Sequence, residues 1–221
     1  STGGNYYHAY LIWDHLVETP EFGGLYVTRL WNRGPSSGDG NGLTFPPRGM
    51  RDMDPSPETP FDQEWAKMAA RTITWDFPSH PESATTYAGL EYTTRKGLTL
   101  LDPVPYRPPG WYEPPKWRTP QQHGYNICAL EASAGTVTAA IAGFVDPVHA
   151  SDWTAMFVAV ENDGSPRYGE IFTTTSQGSF GVQGGDRELY LVVVATPEII
   201  MDIGIFANDP LCDYRGAPQD S

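Results

Sequence analysis

At 221 residues and 24.4 kDa the chain is long enough to bury a core without staples, as one large domain or two small ones. Gly (23) and Pro (21) approach a fifth of it and only 19% is charged, which excludes a helical bundle and points to a turn-rich, β-rich protein. The net charge of −13 excludes nucleic acid or an anionic membrane surface as the main partner, and no apolar run approaches the ~20 residues of a membrane span.

In chain order, the first predicted element is a helix over Asn5–Thr19. Tyr6, Tyr10, Trp13 and Val17 recur at helical spacing there, and Pro20 closes it. A second short helix is predicted from about Phe22 to Asn32, ending at Gly34. A third starts near Pro60 and runs through FDQEWAKMAARTITW, with Asp62 and Glu64 at the positive end of its dipole. Residues 77–100 read as turns with one strand around Gly97–Leu101. The stretch Asp102–Pro120 holds seven prolines, so it is neither regular helix nor central strand and reads as an extended connector.

Beyond the connector the pattern changes from helical to alternating. Strands are predicted at Tyr125–Glu131, Thr136–Phe144, Trp153–Glu161, Tyr168–Thr174, Arg187–Thr196 and Ile199–Phe206. In Trp153–Glu161, Trp153, Ala155, Phe157 and Ala159 fall on one face and Met156, Val158 and Val160 on the other. Turns are expected at Asn162–Gly164 and Gly184–Asp186. Charge also divides here: residues 1–118 carry a net −3 and residues 119–221 a net −10. The expected architecture is α+β: a helical, loop-rich region (1–101), a Pro-rich connector (102–120) and an acidic, antiparallel, jelly-roll-like β-sandwich (121–221).

Candidate functional residues are scattered. His8 and His15 share a face of the first helix and are candidate zinc ligands, but stand two turns, about 10 Å, apart, so one ion cannot take both directly. His80, His123 and His149 are single histidines in loops. Asp39, Asn41, Asp52 and Asp54 offer oxygen ligands of the kind calcium takes, without the register of an EF-hand. Glu131, Asp146, Asp152, Glu161 and Glu170 contain possible carboxylate pairs for glycoside hydrolysis, which so acidic a chain also yields by chance. Trp111, Tyr112 and Trp117 of the connector, with Tyr106, form either an exposed stacking platform or the packing of the connector onto its neighbours. Joining Cys128 to Cys212 would close a loop of 85 residues, stabilising by roughly 4–5 kcal/mol, and would place the chain outside the cytoplasm. The alternative is a reactive thiol, which the apolar run YNICALE around Cys128 opposes.

Several blocks resemble a known group. YYHAYLIWDHLVETPEFGGLYVTRLWNR resembles the helical segment after the zinc helix in secreted bacterial Svx/AvrXca-type proteins with a gluzincin-like metallopeptidase domain. PFDQEWAKMAARTITWDF resembles the later helix, while HGYNICALE and AGFVDPVHASDWTAMFVAVENDGSPRYGEIF resemble the β-sandwich that follows; CDYRGAP fits near the end. The resemblance implies a secreted protein related to a zinc peptidase. The H-E-x-x-H helix that would carry the zinc is absent from this sequence, so zinc is expected only with an upstream segment and no catalytic residue carries over. The expectation is therefore a piece of a longer protein that does not hydrolyse peptides by itself. Two other expectations are a non-catalytic extracellular module binding polysaccharide or protein, and a structural protein that assembles with copies of itself through sheet edges.

Overall fold

The computed structural model describes residues 5–32, 61–82, 99, 101–115, 120, 123–142 and 152–196. Three helices lie among them: α1 (Asn5–Glu18), α2 (Gly23–Asn32) and α3 (Phe61–Arg71). α1 stops one residue before the predicted end. Thr19 caps the last turn, its amide at 3.0 Å and its hydroxyl at 2.8 Å both donating to the His15 carbonyl. Gly23, at φ 66°, then turns the chain into α2. α3 is shorter than predicted, because the β-branched run Thr72–Ile73–Thr74 breaks it. The Thr72 hydroxyl donates to the Ala69 carbonyl at 2.6 Å, and the Asp76 amide closes on the Arg71 carbonyl at 3.0 Å.

The strands are β1 (Asp102–Pro103), β2 (Tyr112–Glu113), β3 (Tyr125–Leu130), β4 (Gly135–Ala140), β5 (Trp153–Glu161), β6 (Pro166–Tyr168), β7 (Phe172–Thr173), β8 (Gln177–Val182) and β9 (Asp186–Ala195). All their pairings are antiparallel. The main sheet runs β3-β9-β5-β6, with β7 also on β5; β4 pairs β8 and β1 pairs β2. The fold is thus a β-rich α+β arrangement of antiparallel sheets and, among the described residues, not a barrel.

Both expected turns form. At the β5–β6 turn Gly164 adopts φ 92° and the Ser165 amide donates to Asp163 Oδ1 at 2.9 Å. The predicted strand Tyr168–Thr174 is instead two short pieces, because the chain leaves the ladder at Gly169–Ile171. β8 has no counterpart among the predicted strands: its glycines, Gly178 and Gly181, mask its alternation. The connector supplies the short β1–β2 pair rather than a featureless link. Of the predicted strand near Gly97–Leu101, Thr99 is described and donates its amide to the Ile127 carbonyl at 2.8 Å. Ile199–Phe206 lies outside the described residues.

β5 and β9 carry the core. The face with Met156, Val158, Val160, Tyr190, Val192 and Val194 packs against the helices, meeting Leu16, Phe61, Met68 and Ala69. The opposite face, with Ala155, Phe157, Ala159 and Leu189, packs against Phe172, Phe180 and Val182. Phe157 lies between two stacked rings, Phe172 at 5.7 Å and Phe180 at 5.9 Å. The predicted alternation of β5 therefore divides the interior into a helix-facing and a β8-facing layer.

Cys128 corrects the disulfide expectation. It is a free thiol, 2% exposed within β3, and burial pushes it up to about 11. A thiol shut inside the sheet is unreactive; Cys212 lies outside the described residues.

Candidate functional site

A cleft of about 640 Å³ opens where the helices meet the β6–β7 edge of the sheet. One wall is a stripe along α3: Gln63, Lys67 and Arg71 recur every four residues, so they share a face. His15 of α1 closes that wall. Met156, Tyr168 and Ile171 line the cleft from the sheet, with Glu170 exposed beside them. Glycine is required at 169, since a Cβ there would stand 2.9 Å from Phe180 Cδ2 and 3.3 Å from the Phe157 carbonyl oxygen.

Behind the α3 wall is a buried ionic network. Glu64 is 1% exposed and His15 4% exposed. The Glu64 carboxylate accepts from His15 Nε2 at 2.7 Å and from Lys67 Nζ at 2.5 Å. His15 Nδ1 faces Arg71 Nη1 at 3.0 Å. A guanidinium only donates, so Nδ1 accepts and Nε2 carries the proton: the ring is neutral, with both nitrogens engaged. Arg71 also binds the Glu18 carboxylate, donates Nε–H to the Asp76 carbonyl at 2.5 Å and lies 4.5 Å from the centre of the Phe77 ring. Glu18 takes the Ser79 amide as well, at 2.7 Å. Tyr168 donates its hydroxyl to Asp76 Oδ2 at 2.9 Å, linking this network to β6.

The protonation states follow from these contacts. Burial lowers the His15 pKa and outweighs the pull of Glu64, with Arg71 and Lys67 adding to the depression. For Glu64, burial alone would raise the pKa; the bonds from His15 and Lys67 overcome it and hold the carboxyl below its ordinary value. Glu18 behaves alike, with Ser79 and Arg71 outweighing burial. Burial, reinforced by Asp76, drives the Tyr168 phenol well above its ordinary range. An ionised Glu64 holding a neutral His15 is the consistent state.

A family model described as a family of unknown function (DUF6055) matches residues 2–214. The chain belongs to DUF6055. No curated protein and no solved structure matches it.

In this DUF6055 chain the sequence-predicted sites separate. His15 lies at the cleft, bound to carboxylate and guanidinium; His8 is on α1, its side chain outside the described residues. Among the described residues no group of three or more His, Cys, Asp or Glu stands ready to hold a metal ion, and both ring nitrogens of His15 are in use, so His15 does not fit the role of zinc ligand that its place on the helix suggested. Asp39, Asn41, Asp52, Asp54, Asp146, His149 and Trp117 lie outside the described residues. Three of the candidate carboxylates have local partners: Glu161 faces Arg167 at 3.8 Å, Asp152 accepts from Thr174, and Glu131, just after β3, accepts from Ser133. His80 pairs with Asp14 at 3.3 Å. His123 is buried at φ 55°, with its ring 5.1 Å from Trp65 and Nε2 at 3.2 Å from Asp62, joining the start of β3 to α3. Trp111 and Tyr112 are 40% and 58% exposed, on the surface.

Sequence reasoning missed Glu18, Glu64, Lys67, Arg71, Asp76 and Tyr168. The four-residue spacing of Gln63, Lys67 and Arg71 was a usable signal for a shared face. The contact between His15 and Glu64, 49 residues apart, has no local signature.

Proposed function

We propose that this DUF6055 chain is a non-catalytic binding module of a secreted bacterial protein, standing to a metallopeptidase-like protein as the part that follows its zinc helix. The observation that supports the reading is the state of His15. It is the imidazole that lines the cleft, and its two nitrogens already hold Glu64 and Arg71. A general base or metal ligand needs a nitrogen free to take a proton or an ion. Here neither is available without breaking a buried charged contact. What remains is an open cleft of about 640 Å³, walled by His15, Gln63, Lys67 and Arg71 and lined from the sheet by Met156, Tyr168 and Ile171, which supports a binding role. The reading also treats the two packed sheets, β3-β9-β5-β6 and β4-β8, as part of a jelly-roll-like sandwich.

Metal content and intact mass, measured on one purified sample, test the proposal. The expected result is no stoichiometric zinc at 24.4 kDa. Stoichiometric zinc at that mass, lost in His15→Gln, would overturn it.

A further inference from the structure

β4 and β8 pair through two stretches without charge. In a chain of net charge −13, residues 132–145 and 171–185 hold no Asp, Glu, Lys or Arg. Val137 and Ala139 of β4 turn inwards onto the β8-facing layer of the core, opposite Phe180 and Gly178. Thr136, Thr138 and Ala140 face outwards beside Gly181, Ser179 and Gln177, and all six are exposed.

A strand paired on one side turns the N–H and C=O of alternate residues away from its neighbour. Among the described residues no strand takes those groups on the far side of β4. The other edges of the two sheets are guarded. At β3 the Thr99 amide donates to the Ile127 carbonyl at 2.8 Å and its hydroxyl to Asn126 Oδ1 at 3.0 Å. β6 is three residues long and carries Pro166 and Arg167. On β8 the Arg167 guanidinium donates to the Gly181 carbonyl at 3.0 Å. β4 has six residues and none of these devices: no proline, no charge and no bulge in its register.

We infer that the open edge of β4 pairs with β4 of a second copy of this chain across a two-fold axis. An antiparallel pairing centred on Val137 sets Thr136 beside Thr138 twice and keeps Val137 and Ala139 on the core side. The two small sheets then join into one of four strands, β8-β4-β4-β8. Charge selects the occupant. Two chains of net charge −13 repel wherever carboxylates meet, and along these uncharged stretches that repulsion is small. A basic partner, which so acidic a chain attracts elsewhere, finds no carboxylate to pair with on this edge. A second β4 brings a strand of equal length, the same alternation and threonines that pair across the ladder. The pairing stands apart from the cleft and does not depend on the state of His15.

Sedimentation equilibrium of the full chain tests this. The ladder is short, so the dimer belongs to the weak, transient class and loading runs up to about 500 µM. The expected mass rises with concentration from 24.4 kDa towards twice that value. Two double variants, Thr136→Lys/Thr138→Lys and Thr136→Glu/Thr138→Glu, set like charges opposite each other and should each weaken association about tenfold. Their equimolar mixture sets lysine opposite glutamate and should restore it. All four substitutions fall on exposed side chains, and unchanged circular dichroism confirms that the fold survives. A mass of 24.4 kDa at every concentration, double variants that associate as the parent does, or a mixture no tighter than its components would each overturn the inference.

Discussion

His15 donates through one ring nitrogen and accepts through the other, which only the neutral imidazole can do. Its pKa in the folded chain is lowered from 6.5, so the stabilising contribution is complete above that value and is lost as pH falls through the lower folded value. Glu64 and Glu18, lowered from 4.5, lose theirs in the same direction at greater acidity. Urea melts at about pH 7.5, 6 and 5 should therefore show falling stability, with the first part of the fall absent in His15→Gln; a flat profile in the parent chain would contradict the assignment. Glu64→Ala removes the carboxylate that both His15 and Lys67 use, and should cost about 3 kcal/mol by the same melts. This network also marks where local sequence logic stops. Gln63, Lys67 and Arg71 show a common face by spacing alone. That the face turns towards His15 and Glu18 depends on how α1 and α3 cross, which no local pattern encodes.

The elements that follow a clean period were legible. α1 and β5 match their predicted spans to within a residue at each end, because the helical stripe and the strict alternation each had one reading. The losses have physical causes. α3 was drawn too long, since an apolar period continues through β-branched residues that the helix does not tolerate. β8 was missed because glycine stands where side chains would show alternation. Of the two, Gly178 is structural: a Cβ there would stand 2.2 Å from Phe172 Cδ1, whereas at Gly181 it would meet nothing within 4 Å. Gly178→Ala should cost about 1–3 kcal/mol through displacement of the Phe172 ring, and Gly181→Ala about 0.5 kcal/mol or less. Equal losses at the two positions in thermal melts would count against the packing described between β7 and β8.

On the scale of the whole molecule, the helices and the main sheet share one apolar layer. Leu16, Met68 and Ala69 from the helices meet Val158, Val192 and Val194 from β5 and β9. Sequence reading drew a boundary near the Pro-rich stretch because composition and charge change there, yet apolar contact runs across that boundary. Far-UV circular dichroism and tryptophan fluorescence should accordingly follow one transition in urea, and Val192→Ala should shift both together by about 2–4 kcal/mol. Two separated transitions would mean that the helical and sheet regions fold independently. The cleft is bounded by the seam between those two layers, and its imidazole is committed to tying α1 to α3. The most direct test of the central claim, a module that binds and does not cut, is chelator-sensitive peptide hydrolysis by the purified chain in the presence of added zinc. The account predicts no cleavage above the chelated control. Zinc-dependent cleavage that disappears in His15→Gln would contradict it.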